Sequence, residues 1–85
     1  MKMIHQNIEG CVLIHNNIFD DERGIFFEAM NQKILNDLNV PKIEQVNISK
    51  SNYGVFRGFH YQVHNELTQF VTCIKGEVLD FGVDL

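Results

Sequence analysis

The run Gly54-Val55-Phe56-Arg57-Gly58-Phe59-His60-Tyr61-Gln62 carries the side chains best suited to chemistry in this chain. An arginine, a histidine and a glutamine fall within six positions, with aromatic residues between them. Read as a β-strand, such a stretch is expected to face a cavity, because burying polar groups without partners is costly. Histidine is the reactive member, since an imidazole exchanges a proton near neutral pH. Arginine adds a planar fork that is always charged. The first expectation is therefore a proton-handling site on a β scaffold.

Other segments must position that site. Gly10-Cys11-Val12-Leu13-Ile14-His15 is apolar and β-branched and predicts a strand. Asn16-Asn17 and Asp20-Asp21-Glu22 read as a polar turn region, followed by a strand at Gly24-Ile25-Phe26-Phe27-Glu28. Residues 29–38 predict a helix, with Met30, Ile34 and Leu38 at fourfold spacing and Asn39 and Pro41 to end it. Beyond Ile43 the pattern is β. Gln45, Asn47 and Ser49 alternate with Val46 and Ile48, placing three polar side chains on one face. Lys50-Ser51-Asn52-Tyr53-Gly54 predicts a turn, residues 63–66 a loop, residues 69–74 a strand and Lys75-Gly76 a tight connection. In the last segment Leu79, Phe81, Val83 and Leu85 oppose Asp80, Gly82 and Asp84. Six or seven strands with one short helix predict a sandwich or barrel.

Size and charge narrow the function. Eighty-five residues make at most one small domain, burying about 60–65% of its unfolded surface. A net charge of −4 leaves no basic footprint for nucleic acid, so an anionic ligand must meet a local cluster drawn from Arg23, Lys50 and Arg57. Cys11 and Cys73 lack metal-ligand spacing and sit in apolar runs, which predicts reduced core thiols. No apolar run reaches membrane-span length and no secretory h-region opens the chain, so a cytoplasmic protein is expected. His5 and His15 carry no motif and are expected at the surface. The apolar alternation still runs at Leu85, which predicts either a fragment or a sheet completed by another copy.

Four blocks then resemble one family. Asp21-Glu22-Arg23-Gly24-Ile25-Phe26-Phe27-Glu28 looks like the D-x-R-G-x-F-x-E element of the dTDP-4-dehydrorhamnose 3,5-epimerases. Gln45-Val46-Asn47-Ile48-Ser49-Lys50-Ser51 is similar to their Q-x-N-x-S-x-S strand. The 54–62 run matches their G-V-[LF]-R-G-[LF]-H-[YF]-Q core, and residues 71–85 resemble V-x-C-V-x-G-x-V-x-D-V-x-V-D-[LI]. The match covers about the first half of the usual family length.

The resemblance implies a mostly β fold, part of a cupin-type jelly roll with one short helix, with residues 1–85 as the N-terminal part of one domain. It implies a homodimer that exchanges N-terminal strands. It also implies action on a dTDP-linked 4-keto-6-deoxy sugar in dTDP-rhamnose biosynthesis, inverting C3 and C5 with no cofactor. His60 would be the base that removes a proton beside the ketone. The resulting enolate needs preorganised donors or positive charge, which Arg57 can supply. Gln45 and Asn47 would bind the sugar or pyrophosphate. Arg23, Phe26 and Glu28 would reach a neighbouring subunit's site and hold the nucleotide. Alternation puts His60 and Gln62 opposite Arg57, so this reading needs a bend or bulge, and Gly58 is the place for it.

The chain departs from the family in places. Gln69 stands where the family carries an enolate-stabilising lysine, and charged donors are roughly twice as strong as neutral ones. The loop Val63-His64-Asn65-Glu66 is unlike the usual pattern. The family's catalytic tyrosine and its histidine-orienting aspartate belong to a C-terminal half outside these residues, which leaves Asp80 as a carboxylate candidate. A metal site on His60, His64 and Glu66 is the competing idea, but the second histidine of metal-binding cupins is replaced here by Gln62. A relative that epimerises one centre or another sugar, and a non-catalytic cupin module, are the alternative readings.

Overall fold

A computed structural model describes residues 1–85. Its regular structure is mostly β, with four strands in two antiparallel pairs and one short helix, as part of a jelly roll would have. The chain divides into two compact units, one of Met1–Asn31 with Val71–Leu85, the other of Gln32–Phe70.

In the first unit, β1 (Lys2–His5) pairs with β2 (Val12–His15) in the register Lys2↔His15 to His5↔Val12. Their connection closes through Gln6 N–H to the Cys11 carbonyl, 2.9 Å, and Cys11 N–H to the Ile8 carbonyl, 3.1 Å. Gly10, at φ 79°, takes the left-handed position of that turn. The second hairpin joins β3 (Phe19–Asp21) to β4 (Gly24–Phe26) across the two residues Glu22 and Arg23. Phe19 and Phe26 face each other at its open end, ring centroids 6.5 Å apart.

Two expectations change here. Asn16 and Asn17 stay outside the strands as expected, but Asp20 and Asp21 leave the predicted turn for a strand that Phe19 anchors against Phe26, so the hairpin turn is Glu22-Arg23. The predicted strand at residues 10–15 shortens to Val12–His15, because Gly10 is taken by the turn that pairs it with Lys2–His5, an element the sequence reading did not include.

In the second unit, α1 spans Gln32–Asp37, shorter than the predicted 29–38. Asn31 takes the cap position, for which its side chain is suited and an interior helical position is not. Ile34 and Leu35 are the buried residues of the helix. Its C-terminus behaves as predicted. Asn39 sits at φ 58°, Asn39 N–H reaches the Asn36 carbonyl at 3.1 Å, and Val40 N–H reaches the Leu35 carbonyl at 2.8 Å. This paired closure satisfies the end carbonyls before Pro41 stops the helix.

The remaining predicted strands, 45–49, 54–62, 69–74 and 77–85, are corrected: none forms a ladder. A strand is stable only when a neighbour takes its backbone hydrogen bonds, and these segments find none in the chain. Their apolar side chains stay exposed, including Ile48, Ile74, Leu79 and Leu85. The same lack of a surrounding core corrects the cysteine expectation. Cys11 and Cys73 are free thiols, but both are exposed. No helix is long and apolar enough to cross a membrane.

Candidate functional site

The turn after residue 50 organises the richest cluster. Val55 N–H bonds the Asn52 carbonyl at 3.3 Å, and Gly54, at φ 84°, supplies the left-handed residue that this reversal demands. The chain folds back so that Arg57 meets the residues just before the turn. Its Nε donates to the Ser51 hydroxyl at 2.8 Å and its Nη2 to the Lys50 carbonyl at 3.4 Å. Both acceptors are neutral, so the guanidinium keeps its whole charge.

Gln45 Nε2 donates to Asn47 Oδ1 at 3.0 Å, although residues 45–49 form no strand. Phe56 and Phe59 pack edge to face beside Arg57, centroids 5.9 Å apart. Gly58 has φ 115°, far from strand geometry, so the backbone departs from simple alternation at the residue singled out for a bend. A Cβ built there would lie 3.8 Å from Nδ1 of His60, which puts the imidazole close over the glycine. His60 itself is exposed and takes part in no hydrogen bond or ion pair of the chain. The Gln62 amide, with its nitrogen turned to the following loop, donates to the carbonyls of Asn65 at 2.8 Å and His64 at 3.2 Å.

Arg23 and Phe26, in the other unit, line one shallow concavity with Phe19, Asp21, Gly24 and Ile25. Arg23 pairs with Asp21. Its Nη2 lies 2.6 Å from Oδ2, its Nε also reaches both carboxylate oxygens, and its backbone N–H donates to Oδ1 at 2.8 Å. The guanidinium, then the backbone N–H, hold the Asp21 carboxyl below the usual aspartate range, and Asp21 in turn raises Arg23. Glu28 contributes its carbonyl, which accepts from Asn16 Nδ2 at 2.7 Å. Asp80 is exposed and makes no hydrogen bond or ion pair. No three histidine, cysteine or acidic side chains group to hold a metal ion.

Two residues escaped the sequence reading: Ser51, tied to Arg57, and Asp21, tied to Arg23. The signal for Ser51 was present, because a tight turn over residues 52–55 brings positions 51 and 57 within reach.

The family model described as dTDP-4-dehydrorhamnose 3,5-epimerase matches residues 5–85. The chain belongs to that family. A dTDP-4-dehydrorhamnose 3,5-epimerase of Shigella flexneri is 40% identical over 88 residues, taking in all of this chain and 49% of the relative. Epimerases of the same name from Methanothermobacter thermautotrophicus and Pseudomonas aeruginosa are each 37% identical, over 99% and 100% of this chain and 46% and 48% of their own lengths. The chain thus spans about half the length of the curated relatives it matches. No solved structure matches it.

Proposed function

We propose that residues 1–85 form the N-terminal part of a cupin-like domain of an epimerase acting on a dTDP-linked 4-keto-6-deoxy sugar. The observation that carries this reading is the family match across residues 5–85, which takes in every block holding a candidate side chain. The 4-keto group acidifies the hydrogens on C3 and C5. His60 removes one of them as general base, and the electron pair left on carbon moves onto the ketone oxygen as an enolate. Arg57 donates to that oxygen, where a charged fork stabilises charge that the ketone lacks. Return of a proton to the opposite face inverts the carbon, so the reaction needs no net oxidant and no cofactor.

Gln45 and Asn47 hold the sugar or pyrophosphate. Arg23, Phe26 and Glu28 hold the nucleotide in a neighbouring copy of a homodimer with exchanged N-terminal strands. Asp80 is the carboxylate candidate for His60. Gln69, in the place of the family's lysine, leaves Arg57 as the charged donor among these residues and suits a relative with altered sugar or a single inverted centre.

Solvent deuterium incorporation tests the base. Exchange at C3 or C5 of dTDP-4-dehydro-6-deoxyglucose is expected, falling about 100-fold or more in His60→Asn. Exchange that survives His60→Asn unchanged removes His60 from that role. A second reading, a non-catalytic cupin module that keeps ligand binding, is favoured by the confinement of burial to Ile34 and Leu35. It predicts thymidine diphosphate binding with no exchange at either carbon.

A further inference from the structure

Arg57 is the arginine held by neutral groups. Arg23 spends its Nε and Nη2 on the Asp21 carboxylate, whereas Arg57 places the same two nitrogens on the Ser51 hydroxyl and the Lys50 carbonyl. The two anchors occupy one edge of the guanidinium. The other edge, Nη1 with the second hydrogen of Nη2, makes no further hydrogen bond in the chain, and the residue is exposed. That edge offers two parallel N–H groups at the spacing of two oxygens of one anion.

We infer that Ser51 is a positioning residue: with the Lys50 carbonyl it clamps Arg57 so that the open edge receives an oxyanion of the substrate. A long side chain held before the ligand arrives loses less freedom on binding. The neutral acceptors fix direction without cancelling charge. The turn at residues 52–55 sets the spacing, so the clamp is local and stands within one compact unit. This inference deepens the epimerase reading and rests on it for the source of the oxyanion, which is the diphosphate or the enolate.

The test uses the full chain with arginine side chains labelled in nitrogen. The Nε–H of Arg57 is expected to exchange slowly with solvent, to lose that protection in Ser51→Ala and to regain it in Ser51→Thr, with the amide signals of α1 unchanged. Pyrophosphate binding that weakens about five- to tenfold in Ser51→Ala and recovers in Ser51→Thr identifies the diphosphate as the oxyanion. Unchanged pyrophosphate binding with a five- to tenfold lower kcat for deuterium exchange, at constant KM, identifies the enolate. The clamp is overturned if Ser51→Ala leaves the Nε–H as protected as before, or if protection is lost while neither binding nor kcat moves. The pyrophosphate arm needs no sugar. Binding there that depends on Ser51, without preference for thymidine diphosphate and without deuterium exchange, tells against the epimerase reading and leaves the clamp standing.

Discussion

The two arginines show how one side chain acquires different uses from its nearest neighbours. Asp21 neutralises Arg23, so an anionic ligand at that guanidinium must displace a carboxylate already on it. Because the Asp21 pKa is lowered in the folded hairpin, the tie is present above the unfolded value and is lost as pH falls through the lowered one. The β3–β4 turn is therefore expected to keep this contact at neutral pH and release it only in acid. Arg23→Gln should return the Asp21 midpoint to the ordinary aspartate range in a carboxyl NMR titration. A midpoint that stays low would mean that the backbone N–H of Arg23, not its guanidinium, is the main cause. Asp21 was invisible as a partner in the sequence because an aspartate two residues before an arginine in a turn is commonplace. Only the backbone path decides whether the two meet.

Among the elements, what formed as predicted is what local chemistry dictates. The helix end at Asn39, the turn closed by Gly54 and the departure at Gly58 each depend on one residue that tolerates a positive φ. Asn39 offers a direct check. Asn39→Gly should leave helicity at 222 nm and the urea midpoint unchanged or slightly raised. Asn39→Val, β-branched at φ 58°, should cost about 1–2 kcal/mol. Equal behaviour of the two variants would mean that the closure contributes nothing. The strands predicted beyond Ile43 depend on distant partners, and the period-two pattern of Leu79, Phe81 and Val83 records a preference for a sheet without naming the neighbouring strand. Hence the order of the motif residues along the chain was legible, whereas the bond between Gln45 and Asn47 was not, because sharing a strand face does not imply bonding to each other. A hollow that gathers His60 with them was not found, because its walls would be ladders that these residues do not make by themselves.

For the molecule as a whole, surface area is the governing quantity. The chain exposes 8729 Å². A folded protein of 9.9 kDa exposes about 5,200 Å². The excess, about 3,500 Å², is several times the roughly 800 Å² that each partner contributes to a standard protein interface. Self-association is the expected response. Sedimentation should show species heavier than 9.9 kDa, and a dye that fluoresces on apolar surface should bind. A lone monomeric boundary with no dye signal would contradict this. The division into units has a different outcome, which concerns the ribosome. Met1–Asn31 belongs with Val71–Leu85, and the 39 residues of Gln32–Phe70 lie between them in the chain. During translation the earliest hairpins emerge long before the stretch they are grouped with. Bridging that insertion carries a closure entropy whose length-dependent part is about 3 kcal/mol. Synthesis order thus runs against assembly order, and residues 1–31 have to wait for residues 71–85.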